Sequence, residues 1–99
     1  MASTDYTTLA SSLRPADTAA ERWVRLTIGK RGPLYRAHVH DSGASGKPEA
    51  SALDHTWQLA LVNMRDRASA RGIATDAEGA ALLAEAIAEC EAAMTARGG

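Results

Sequence analysis

An α+β fold is predicted for this chain: a β-hairpin followed by a two-helix antiparallel hairpin. Three observations carry that prediction. The stretches "RWVRLTIG" and "LYRAHVH" alternate apolar and polar residues, and "KRGP" between them has turn chemistry. Two later stretches repeat apolar residues at spacings of three and four behind helix-capping patterns. With 99 residues there is room for one small domain and one modest core. The predicted order is (α)ββαα, expected to be completed by dimerisation, with an N-terminal segment at 1–21, the hairpin at 22–41, a linker at 42–50 and the helical hairpin at 51–97.

In the N-terminal segment Tyr6, Leu9, Ala10 and Leu13 recur at helical spacing behind Ser3 or Thr4 as caps, and Pro15 closes the run. The pattern fits a short helix docked by its Tyr/Leu edge, or a frayed terminus, since isolated helices this short are marginal. Thr18-x-x-Glu21 is a capping-box pattern that competes with the first strand. The alternation from Trp23 onward favours the strand, with one helical turn at 18–22 before it.

In the first strand Val24, Leu26 and Ile28 share one face, and Trp23, Arg25 and Thr27 the other. Gly32 and Pro33 suit the turn. The second strand sets Tyr35, Ala37 and Val39 against Arg36, His38 and His40, so pairing brings the two apolar trios together. "DSGASGKPE" reads as a connector. A helix is expected from Ser51, with Ser51-x-x-Asp54 as its cap and Leu53, Trp57, Ala60, Leu61, Met64 and Ala68 as its stripe, ending at Gly72. Thr75-x-x-Glu78 caps the next, whose stripe is Leu83, Ile87, Cys90 and Met94, widened by Leu82 and Ala86. A two-stranded sheet has only edges, so a homodimer pairing through strands or helices, or a partner's strand, is expected to cover it.

The core is thin. Apolar residues make up 45% of the chain, but alanine supplies about half of these and phenylalanine is absent. The net charge of −1 argues against a generally polycationic nucleic-acid binder. The charge is nevertheless polarised: Arg22, Arg25, Lys30, Arg31, Arg36 and Lys47 face Asp41 alone, whereas Asp76, Glu78, Glu85, Glu89 and Glu91 meet no basic residue between 73 and 96. With one cysteine there is no intrachain disulfide, and the N-terminal stretch has no basic, apolar leader. A cytoplasmic protein with no membrane partner is expected, and the alanine- and arginine-rich composition suggests a bacterial or phage genome.

No motif identifies an activity, and neither a catalytic residue nor a cofactor is assigned. "GASGK" lacks the P-loop spacing and Pro48 stands where Ser or Thr is required; its amides retain a weak anion-binding signal. No serine lies in G-x-S-x-G. Cys90 sits on a buried helix stripe beside Glu89 and Glu91, which raises its pKa. The "SARGIATDAEG" stretch resembles a helix-turn-helix in outline, but the second helix carries five acids and no base-reading residue. His38 and His40 point the same way on a strand and could share a metal if His55, Asp54 or Asp41 completed the set; the plainer reading is an exposed polar face.

The leading expectation is a small non-enzymatic protein-interaction module, an adaptor, inhibitor or regulatory subunit. It would bind a partner protein through Trp23, Arg25, Arg36, His38 and His40 on the basic hairpin face, or through Glu85 and Glu89 on the acidic last helix. The alternatives are nucleic-acid binding by the same hairpin and a metal-dependent enzyme centred on His38 and His40.

Overall fold

The computed structural model describes residues 6–16, 22–43 and 49–98. The chain is an α+β domain in which four strands and two helices follow in order: β1 (Tyr6–Pro15), β2 (Trp23–Arg31), β3 (Leu34–Asp41), β4 (Glu49–Asp54), α1 (Trp57–Ala70) and α2 (Ala77–Ala96). The strands form one antiparallel meander, β1-β2-β3-β4.

The central hairpin is as expected. Leu26 stands opposite Val39 and Ile28 opposite Ala37, and all four are fully buried. The turn passes through Gly32 at φ +58°. The expected capping box at Thr18 and Glu21 and the caps at Ser3 and Thr4 lie outside the described residues, as does the 44–48 part of the connector with Lys47.

Two elements differ from expectation. The N-terminal segment is not a helix but strand β1, which pairs with β2 along its whole length. Helical spacing and strand alternation coincide in so short a run of Thr, Ser and Ala. The unpaired backbone of β2 decides between them, because a strand there satisfies a row of N–H and C=O groups. A bulge at Leu9, between Thr8 and Ala10, puts Ala10, Ser12 and Arg14 on the face that Ile28, Leu26 and Val24 occupy. Likewise the first helix does not start at Ser51. Glu49–Asp54 is strand β4, with Ala50 and Ala52 turned into the core, and Thr56 is the cap, its hydroxyl accepting the Leu59 N–H at 3.1 Å.

The chain therefore supplies its own flanking strands. β2 and β3 are both interior, so the central hairpin has no free edge of its own. The edges are now β1 and β4, and arginines from the helices cap both. Arg67 donates to the Ser51 carbonyl at 3.1 Å and Arg71 to that of Glu49 at 2.7 Å, while Arg97 donates to the carbonyl of the bulge residue Leu9 at 2.9 Å. Charged groups on an edge strand oppose pairing with another chain. Replacing Arg67 and Arg71 together by Ala is expected to cost about 1 kcal/mol per lost bond at most, and to raise self-association above that of the wild type. Sedimentation velocity across a concentration series checks this; unchanged behaviour would remove the capping role.

Both helices cover the same sheet face, α1 over β3 and β4, α2 over β1 and β2. Their contacts advance in opposite senses. α1 meets Asp54, Ser51 and Glu49 in turn through Asn63, Arg67 and Arg71, whereas α2 runs from Arg22 at Asp76, past Ser12 at Glu89, towards Leu9. They are antiparallel, as expected. Ala60, Ala68 and Ala86 of the helices share one buried core with Ala10, Ala37, Ala50 and Ala52 of the sheet. The buried stripe of α2 is Gly79, Leu82, Ala86, Cys90 and Met94, so Leu82 and Ala86 are central and Leu83 and Ile87 lie at its side. α1 ends in a Schellman motif: Gly72, at φ +74°, and Ile73 donate to Ser69 and Ala68. No helix among the described residues is long and apolar enough to cross a membrane.

Candidate functional site: the open face of the sheet

Because the helices cover one side, the residues of opposite parity form an uncovered face. Cross-strand register arranges it in rows. Leu13, Arg25, His40 and Glu49 make one; Ser11, Thr27, His38 and Ser51 the next; Gly29, Arg36 and Leu53 the third. Trp23, opposite Pro15, closes the end. All five basic or aromatic residues expected on the hairpin face, Trp23, Arg25, Arg36, His38 and His40, are on it.

Their side chains are organised. The Trp23 and His40 rings meet with centroids 5.0 Å apart and a 55° tilt, and the Arg25 guanidinium lies 5.2 Å from the Trp23 ring centre. Cation over indole is attractive through the ring quadrupole. The Trp23 N–H donates to the Ser42 hydroxyl at 2.7 Å, which fixes the start of the strand. His38 Nε2 is 2.7 Å from Glu49 Oε1. Leu13, 50% exposed, stands beside Arg25 on β1, and Leu53, 48% exposed, lies two rows along the face beside Arg36 on β4. Lys30, by contrast, belongs to the other side, where its ammonium lies 5.2 Å from the Tyr35 ring centre.

The acidic helix is differently employed. Glu89 accepts bonds from the Ser12 hydroxyl at 2.7 Å and from Arg14 at 2.5 Å, and Glu85 accepts from Arg14 at 3.2 Å. The two glutamates expected as a partner surface thus clamp α2 to β1. The metal reading also loses its completing ligand. His40 packs on Trp23, His38 turns to Glu49, and His55 lies past the end of β4, four residues from the His38 partner Ser51 and about 13 Å away at strand rise; among the described residues no three such side chains gather as a metal-ligand set. Asp41 points into the protein, opposite Val24, and Cys90 is buried, its thiol pushed up to about 11 by desolvation first and the Glu89 charge second. Neither is placed for chemistry at the surface.

Comparison with protein-family models, curated proteins and solved structures finds no match to this chain. The face therefore has to be read from its own residues.

Sequence reasoning missed two things. One is the contribution of β1 and β4 to the face, namely Leu13, Glu49, Ser51 and Leu53, which followed from missing those strands. The other is a latch beneath one end of the sheet. Arg22, its side chain 15% exposed, donates to Asp41 at 3.1 Å and to Asp76 at 2.7 and 2.8 Å, with Glu78 at 3.7 Å. Asp41 also accepts the Gly43 and Ala74 N–H groups at 2.8 and 2.9 Å. The bond from Arg22 holds the Asp76 carboxyl down to about 2, and the pairing raises the Arg22 pKa beyond its already high value. The signal was visible: Asp41 is the one acid in a basic stretch, on the apolar parity of its strand. Gly79 leaves the room this needs, since a Cβ there would meet the Ala74 Cα at 2.9 Å and the Arg22 guanidinium.

Proposed function

We propose that this chain is a small non-enzymatic interaction module that docks a partner protein on the open face of its sheet. The observation that carries the reading is the Trp23–Arg25–His40 cluster, with half-exposed Leu13 beside it and Leu53 further along the same face, on the side the helices leave bare. Trp and Arg are frequent energetic anchors at interfaces, and apolar flanks exclude water around them. With Arg25 and Arg36 on the face against Glu49, the complementary surface is acidic and partly apolar. The exposed leucines favour a protein over nucleic acid, whose phosphates offer them nothing. The pairing of Glu85 and Glu89 with Arg14 favours this face over the acidic helix.

The test is retention of partner from host lysate, followed by titration of the purified partner. Trp23→Ala and Arg25→Glu are each expected to weaken binding at least tenfold with little change in thermal stability. Retention unaltered by both, but lost on reversing Glu85 and Glu89 to Lys, would transfer the interaction to α2. Binding of a single-stranded oligonucleotide that falls steeply with salt, in place of a protein, would favour nucleic acid.

A further inference from the structure

At the corner where β3, β4 and α1 meet, the open face ends in a polar cavity of about 160 Å³. Arg36 and His38 line it from β3, Glu49 and Ser51 from β4, and Arg67 and Arg71 reach round the β4 edge from α1. Three guanidinium groups thus surround a space with one carboxylate. The three arginines and Glu49 together give the lining a net charge of +2, with His38 beside them. The space exceeds what a single water needs several times over, enough for a tetrahedral oxyanion with part of its hydration.

The arginines are held in place. Arg67 and Arg71 are each bound to a β4 carbonyl by one nitrogen. A guanidinium carries five N–H donors, so edge capping uses a small part of what they offer. Ordering two long side chains is a usual cost of binding an anion, and here the fold has already met it. Grouped like charges also repel, which an arriving dianion would relieve. Arginine donors in a fixed fork suit phosphate oxygens, and a doubly charged phosphomonoester gains more from such a cluster than a carboxylate does.

We propose that this cavity binds a phosphomonoester dianion, brought to the docking face as a phosphorylated side chain of the partner protein. The source of the phosphate rests on the docking reading above; binding of the group itself does not. A nucleic-acid backbone is the poorer fit. It offers singly charged diesters in series, whereas the cavity is a single corner containing Glu49, and Arg25 is engaged on Trp23.

The experiment is a titration of the full chain followed by ¹⁵N correlation spectra, with phenyl phosphate as probe and acetate as control at matched ionic strength. The Glu49 and Ser51 amides and the Arg67 and Arg71 Nε–H signals are expected to shift saturably with phenyl phosphate, and acetate to bind at least tenfold more weakly. Arg71→Gln should weaken phenyl phosphate tenfold or more. Because that change also uncaps β4, Arg36→Gln on the interior strand serves as a second variant with the same expectation. Glu49→Gln should tighten binding several-fold, an effect that a purely structural cluster would not give. Equal responses to phosphate and acetate, or unchanged affinity in both arginine variants, would overturn the site. A phosphoserine peptide binding through these residues, with its unphosphorylated form silent, supports the partner source; tighter binding of a single-stranded oligonucleotide without terminal phosphate overturns it. If phenyl phosphate binds while Trp23→Ala and Arg25→Glu leave partner binding intact, the docking reading fails and the cavity stands.

Discussion

Replacing Arg22 with Met is expected to destabilise the fold by about 3 kcal/mol, read as a lower urea midpoint. Asp41 is 1% exposed, so the substitution leaves a buried carboxylate without its cation. Breaking a buried pair from one side costs about 3–5 kcal/mol. The Gly43 and Ala74 amides still donate to Asp41, which places the effect at the lower end. The latch joins the start of β2, the end of β3 and the α1–α2 link, where Ala74 is held at φ +54°. Its loss should therefore loosen α2 as a unit.

The pH dependence has a definite sign. The Asp76 carboxyl, ordinarily near 3.8, is lowered to about 2 in the fold. Its pairing with Arg22 therefore contributes fully above about pH 3.8 and is lost as pH falls towards 2. In the Met variant the part of the acid-induced loss due to Asp76 should shrink, the bond from the Gly79 N–H being what remains to hold its carboxylate. Arg14→Ala is the contrast. Its pairs with Glu85 and Glu89 are half-exposed, and exposed pairs are worth about 1 kcal/mol or less. If Arg14→Ala proved the costlier change, the latch would not be what secures α2.

Leu26→Ala is expected to cost about 4 kcal/mol, in the upper part of the range for such truncations. Leu26 is fully buried at the centre of the sheet, between Ser12 and Val39 and beneath Cys90, whose sulfur lies 3.9 Å from the Leu26 carbonyl. Many neighbours in the core are alanines, which have no longer side chain to swing into the void. The cavity term therefore stays close to its full value. Domains of this size are stable by about 5–15 kcal/mol, so the variant should sit near the edge of folding at 37 °C. Leu53→Ala, on the open face and 48% exposed, should cost less than about 1 kcal/mol. Equal midpoints for the two variants would mean that the face, too, is covered in solution.

Most of the candidate site was legible because it lies on the one hairpin whose alternation is unambiguous. β-branched Val24, Ile28 and Val39, with Leu26, left no doubt about which residues faced inward, and the parity of Trp23, Arg25, Arg36, His38 and His40 followed. The flanks were not legible. In "YTTLASSLRP" and "EASALD" the side chains are small or polar, so neither period stands out, and helical spacing can be found in both. Ser51-x-x-Asp54 imitates a cap five residues before the real one, where the Thr56 hydroxyl accepts the Leu59 N–H.

The sequence by itself determined the central hairpin, the two antiparallel helices and the division of charge, because each is written in local periodicity and composition. Tertiary structure alone decided the rest. The open backbone groups of β2 and β3 recruited β1 and β4, and Arg14 tied Glu85 and Glu89 of α2 to β1. Arg67 and Arg71 were carried round the β4 edge to meet Arg36. Hydrogen bonds and charge pairs between residues far apart in the chain have no local period, so only the folded arrangement reveals which partners they find.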